Sequence, residues 1–338
     1  MTTTTTARPR LTTDPVRLAR FRKRICLATI LACLPYILLK IAWVSGWGIG
    51  ANSSDFAGTT IAANTATGLL DMVAVAIAIL LVHPVGRRIP AFLIAFPLWI
   101  AAGLLAPVAG GFVLGSAVQL LSGGGSPLVD DVLQPWVFAV VYGGFVLQAV
   151  LLGTGLVFYA RERWQMLLSG GRAHDGAGHT RPLQNLLGWI FIPAGLGYAI
   201  LNWGWAVTGG GRFPDPSTGQ RVMLTLLGAF AIGACLALAE LSRGDRLRRR
   251  WLALGFVGTA VVFTDALTGL VNALLIGPDD WGHAGFTPDE ALALLFIALS
   301  ALGGAIGGAL RFVEECRTAP EARADTKRER ADTPTPVA

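Results

Sequence analysis

Three ionisable residues, Lys40, Asp71 and Asp265, lie inside long apolar stretches of the sequence. At ~1.5 Å of rise per helical residue, Lys40 and Asp265 fall roughly 21–22 Å from the inner end of their stretches, and Asp71 falls at ~15 Å. A charge at the centre of a membrane helix costs at least ~2.5 kcal/mol unless it is paired or hydrated. An ammonium and two carboxylates at overlapping depth are suited to binding a small solute, an ion or a proton. The sequence therefore predicts a polar site within an apolar protein.

Polar and aromatic residues recur at helical spacing beside these charges. Residues three or four positions apart share one face of a helix, as Asn64, Thr67 and Gly68 do with Asp71. The candidate binding residues are Tyr36, Lys40, Asp71, Tyr198, Asn202, Asp265 and Asn272. Four helices carry them, and none of their polar faces is suited to lipid, so we expect the faces to converge on one pocket.

A structural role is the alternative for each of these residues. The long side chain of Lys40 could reach the headgroups and serve as an anchor. The two acids could form a buried pair with Lys40 without any turnover, and the sequence does not decide whether Lys40 pairs with Asp71 or Asp265. Gln148 and Tyr142, both on the fourth apolar stretch, are interpreted as local contacts between helices.

Eight apolar stretches carry the candidate residues. Of the 338 residues, 53% are hydrophobic and 14% are charged, whereas roughly 25% are charged in soluble domains. The stretches are each near the ~20 residues that cross a bilayer, and the third is followed by a Gly-rich connector at 110–125. They span about 25–47, 61–82, 89–108, 135–159, 186–207, 222–241, 251–276 and 291–311. The sequence thus predicts an all-α polytopic integral membrane protein with eight transmembrane helices.

Lysine and arginine alternate between the connectors. The two ends of the chain and the connectors 83–88, 161–181 and 243–250 are basic, and the other connectors are poor in basic residues apart from Arg212 and Arg221. Basic connectors face the cytoplasm, so both termini are predicted to be cytoplasmic. The net charge of +6 is distributed in this way between spans, which argues against a nucleic-acid partner. The Ala-, Gly- and Arg-rich composition favours a prokaryotic plasma membrane.

The two halves of the chain show a weak internal similarity. Tyr36, Lys40 and Trp43 align with Tyr198, Asn202 and Trp205, and an arginine precedes both the third and the seventh stretch. Because four spans are an even number, the halves would be parallel repeats related by an axis along the membrane normal. The predicted organisation is a disordered basic tail (1–24), a first four-helix repeat (25–160), a connector (161–185), a second repeat (186–312) and a disordered tail (313–338).

Several catalytic motifs are missing from the sequence. It contains no HExxH, Walker A or GxSxG motif, and its histidines lie at span ends or in connectors, where paired haem ligation is not expected. We therefore predict no metal and no cofactor, and we favour binding or transport of a small solute or ion over catalysis. The alternatives are a membrane-embedded enzyme acting on a lipid or isoprenoid, with Asp71 or Asp265 as general acid, and a non-catalytic subunit of a membrane complex. A membrane-protein partner or a homo-oligomer is compatible with either.

Overall fold

The computed structural model describes residues 15–52, 61–123, 133–163, 179–210, 215–243, 249–275 and 288–332. Within these ranges the chain forms eight α-helices long and apolar enough to cross a membrane, which confirms the predicted all-helical class. They are α1 Pro15–Val44, α2 Ile61–Val82, α3 Ala91–Leu121, α4 Pro135–Arg163, α5 Arg181–Thr208, α6 Thr218–Arg243, α7 Arg249–Leu275 and α8 Pro288–Asp332, with a short 3-10 helix Pro84–Arg87 between α2 and α3. These helices are compatible with a multi-pass membrane protein.

The second half of the chain is a closed four-helix bundle. Each of α5 to α8 packs against the next helix, and α8 returns to α5. Its core contains Phe191, Leu227, Val261 and Ala301, all essentially inaccessible. Small residues allow close helix approach in membranes, and a Cβ added at Gly258 would lie 2.5 Å from the carbonyl oxygen of Phe230.

The first half has the same cyclic order of helices. Helix α1 packs on α2 and α4, and α4 packs on α3, whereas α2 and α3 make a smaller contact. That smaller contact includes Ile77 and Leu81 of α2 with Ile94 and Leu98 of α3. The shared cyclic order is compatible with a duplication, which stays a prediction.

Helix α3 joins the two halves by packing on α6 and α7. The indole Nε1 of Trp99 donates to Thr259 Oγ1 at 3.2 Å, and its ring lies 4.9 Å from that of Phe263. Helix α2 makes no comparable contact with α7 among the described residues. The interface between the halves is therefore not symmetric, although symmetric repeats would place α2 on α7 as α3 lies on α6.

Helix α3 extends past the predicted end near residue 108 and includes glycines that were expected to form a loop. These glycines face α6. An added Cβ would lie 3.3 Å from Leu226 Cδ1 at Gly110 and 2.8 Å from Met223 Sδ at Gly111. Glycine in this segment serves close packing rather than chain reversal.

Both end segments predicted to be disordered contain helix. Helix α1 starts at Pro15 and α8 continues to Asp332. Proline is favoured in the first turn of a helix, and the end of α8 is rich in Ala, Glu and Arg, which are good helix formers. Residues 1–14, 164–178 and 333–338 lie outside the described part of the chain.

Arg221, an exception to the charge pattern of the connectors, has a local structural role. Its Nη1 donates to the carbonyl oxygens of Ala206 at 2.7 Å and Val207 at 2.9 Å. The last carbonyls of a helix have no intrahelical partner, so Arg221 caps the end of α5. The other exception, Arg212, lies outside the described residues.

Candidate functional site

Lys40 lies in the interior of the first bundle with only 9% of its surface exposed. Its Nζ donates to Asn64 Oδ1 at 2.7 Å and lies 4.7 and 5.0 Å from the ring centroids of Tyr36 and Trp43. Gly68 provides the space on α2, since a Cβ added there would already lie 3.4 Å from Lys40 Cβ. An amide oxygen and two aromatic faces thus stabilise the ammonium. Asn64 lies within one turn of the start of α2, so the snorkelling alternative stays a prediction.

Asp71 follows Asn64 by two helical turns on α2 and is 5% exposed. Gln148 on α4 donates from Nε2 to Asp71 Oδ2 in a long hydrogen bond of 3.4 Å. Gln148 is itself 1% exposed. Gln148 therefore contacts a neighbouring helix, and the group that it contacts is the buried carboxylate of Asp71.

Lys40 and Asp71 belong to one polar cluster. Both are linked through α2, which carries Asp71 and also Asn64, the acceptor of the Lys40 ammonium, and Tyr36 of α1 hydrogen-bonds to Thr67 of α2. The ammonium donates to the amide of Asn64, whereas the carboxylate accepts from the amide of Gln148. We call Lys40, Asn64, Asp71 and Gln148 the first-bundle cluster. It contains one positive and one negative group, each held by a neutral amide.

The second bundle contains a separate polar cluster. The hydroxyl of Tyr198 on α5 donates to Asp265 Oδ2 on α7 at 2.6 Å. The Nδ2 of Asn202 donates to the Tyr198 carbonyl oxygen at 2.9 Å, and Asn202 is 1% exposed. Tyr198, Asn202 and Asp265 form what we call the second-bundle cluster.

The structure distributes the predicted binding residues over the two bundles instead of one pocket. Tyr36, Lys40 and Asp71 lie in the first, and the second-bundle cluster is carried by α5 and α7. The two halves meet through α3, which packs closely on α7 at Gly103. Asn272 is exposed near the end of α7 and lies outside both clusters. The predicted convergence is therefore corrected to two clusters, because the polar helices pack within their own bundles.

The first-bundle cluster combines one cationic, one anionic and two amide side chains. Two hydrogen bonds hold these groups: Lys40 of α1 donates to Asn64 of α2, and Gln148 of α4 donates to Asp71 of α2. Among the described residues, no three His, Cys, Asp or Glu side chains are grouped as metal ligands would be. Comparisons with protein families, with curated proteins and with solved structures found no match for this chain.

Proposed function

We propose that this protein binds or transports a small solute or ion at the first-bundle cluster. One observation carries the proposal: two opposite charges, each with an amide partner, are buried in a bundle whose outer surface is apolar. Apolar residues of similar size often give equal or greater stability than a buried ion pair. Ionisable residues retained inside membrane helices accordingly mark binding sites and ion pathways.

The amide partners suit exchange with a ligand. A hydrogen bond to a charged group contributes a net ~1.5–3 kcal/mol, so a solute that replaces Asn64 or Gln148 must offer its own acceptor to Lys40 or its own donor to Asp71. In the resting state Lys40 balances the charge of Asp71. Protonation of Asp71, or arrival of a cation there, leaves Lys40 unbalanced and biases the packing of α1 against α2 and α4.

The placement in the membrane follows from the distribution of Lys and Arg. We place the chain in a prokaryotic plasma membrane with both termini in the cytoplasm. Lys40 then lies in the outer half of the bilayer, because α1 runs outward from the basic start of the chain. The cluster is expected to exchange ligand with the outer side.

Ion flux into liposomes tests the proposal. The purified chain is reconstituted with a trapped pH-sensitive dye, and proton flux is driven by a K⁺ diffusion potential set with valinomycin or by a Na⁺ gradient. We expect flux above that of empty liposomes. Asp71→Asn is expected to lower it about tenfold or more, which corresponds to ~1.4 kcal/mol in the barrier.

Glu240→Gln is the matched control, since Glu240 is an exposed acid on α6 of the second bundle. This substitution removes the same charge and is expected to leave the flux unchanged. Wild-type flux equal to empty liposomes, or equal flux in folded Asp71→Asn and wild type, would contradict ion transport through this cluster.

A further inference from the structure

A groove lies between α1, α2 and α4 at one end of the first bundle. The empty space between its side chains, including the part that opens outward, is about 310 Å³. Its lining is apolar apart from Cys26 and Thr29. The hydroxyl of Thr29 already donates to the carbonyl oxygen of Ile25 at 2.9 Å. The groove is therefore suited to a hydrocarbon chain and not to a polar solute.

The groove is at the point where the three helices reach the boundary of the apolar bundle. Ile25 lies near the start of the apolar part of α1, Val82 is the last residue of α2, and Phe158 is near the end of α4. The ring of Phe21 lies 5.3 Å from that of Phe158 and holds α1 beside α4 at this end. A ligand in the groove would thus extend from the apolar interior to the polar surface.

The segments that flank the groove are strongly basic. They contain five, two and two Lys or Arg residues against one acid, Glu162, and comprise residues 17–24, 83–88 and 159–163. Arg24 directly precedes Ile25, and Arg161 follows Phe158 by three positions; both arginines are exposed. Arginine can lay its stem along an apolar surface while its charge stays in water. The apolar groove therefore has a positively charged rim.

We propose that this end of the first bundle binds an anionic phospholipid, with one acyl chain in the groove and the headgroup phosphate beside Arg24 and Arg161. Charge complementarity selects the ligand, because basic pockets between membrane helices bind anionic headgroups. A zwitterionic phospholipid supplies the same chain without the net negative charge. A free phosphate supplies the charge without the chain.

The groove distinguishes this site from the other basic ends of the molecule. Exposed arginines also occur at helix ends of the second bundle, as Arg243 on α6 and Arg249 on α7. The site is also separate from the first-bundle cluster: Lys40 lies 15 positions after Ile25, or ~22 Å further along α1. The inference therefore does not rest on the proposed transport.

Thermal unfolding of the purified full-length protein in detergent tests the inference. Melting temperatures are compared after addition of dioleoylphosphatidylglycerol, dioleoylphosphatidylcholine or glycerol phosphate at equal concentration. A ligand that binds only the folded state raises its stability, so we expect the anionic lipid to raise the Tm by about 3 °C or more. The zwitterionic lipid is expected to give less than half of this shift, and glycerol phosphate none.

Two variants separate the rim from the groove. Arg24→Gln combined with Arg161→Gln is expected to lose at least half of the shift, whereas the matched pair Arg243→Gln and Arg249→Gln in the second bundle is expected to keep it.

Val82→Phe enlarges a side chain of the groove lining and is expected to lose the shift as well. Val85→Phe is its control, since Val85 is 44% exposed and does not line the groove. The two tests are independent, so one remains if a variant does not fold.

Four results would overturn the inference. Equal shifts with the two lipids would exclude recognition of the headgroup, and a full shift with glycerol phosphate would exclude the acyl chain. A full shift in the folded Arg24 and Arg161 double variant, or in folded Val82→Phe, would place the lipid elsewhere. Proton flux through the first-bundle cluster is tested separately with Asp71→Asn, so either proposal can fail alone.

Discussion

Lys40→Met is expected to lower the free energy of unfolding by about 1.5–3 kcal/mol, the usual contribution of a hydrogen bond to a charged group. Methionine preserves an unbranched apolar side chain, so packing between α1 and α2 changes little. The variant removes the 2.7 Å hydrogen bond to Asn64 and leaves the buried amide oxygen of Asn64 without that donor. Equilibrium unfolding in mixed micelles at neutral pH measures the loss.

Lys23→Met provides the control for the charge change. Lys23 lies on the same helix and is exposed, and exposed substitutions of this kind usually change stability by no more than ~0.5 kcal/mol. Similar small effects at both positions would show that Lys40 acts as an interfacial anchor after all.

Gly103→Ala is expected to destabilise the protein by about 1–3 kcal/mol, the usual range for overpacking in a well-packed interior. An added Cβ at this position would overlap the carbonyl group of Ala260 and lie 2.7 Å from Thr264 Oγ1. The Ala260 carbonyl belongs to the backbone of α7, so relief requires α3 and α7 to move apart. The same unfolding measurement detects this change at the interface between the bundles.

Gly153→Ala makes the same substitution in the interior of α4, where no heavy atom of the described residues lies within 4 Å of the added Cβ. Alanine is favoured over glycine in a helix by up to ~1 kcal/mol, so this variant is expected to be equally or more stable than the wild type. Effects of equal sign and size at the two glycines would contradict close packing of α3 on α7.

The helices could be predicted because apolar length is a local property of the sequence. All eight spans were found in this way, and the boundary of α3 was wrong because glycine is common both in loops and at close helix contacts. Gly110 and Gly111 carry the same local signal in either case. Only the position of α6, which brings Met223 and Leu226 against them, distinguishes the two.

The polar and charged residues of the two clusters could also be predicted as site candidates, but their hydrogen-bond partners could not. A buried charge or amide is visible in an apolar sequence, and Lys40, Asp71 and Asn202 are buried. Their partners depend on how each helix is rotated and on which helices are neighbours. Gln148 has no periodic pattern around it, so nothing local connects it with Asp71.

The sequence could not predict how the polar residues are distributed between the two bundles, because this also depends on which helices are neighbours. Helical spacing places Asp265 and Asn272 on one face of α7, but it does not show where the bundle ends along that face. Asn272 is exposed, whereas the hydroxyl of Tyr198 reaches Asp265 across the bundle. Depth along a helix therefore did not predict which of these residues contact one another.

A double-mutant cycle on Lys40 and Asp71 tests the central claim, that their charges form one site within the first bundle. The unfolding free energies of Lys40→Met, Asp71→Asn and the double variant are compared with that of the wild type. Coupled residues show interaction energies of roughly 0.5–3 kcal/mol, and we expect the double variant to lose at least ~1 kcal/mol less than the sum of the single losses. Additive losses, within about 0.5 kcal/mol, would show that the two groups are energetically independent and would contradict the claim.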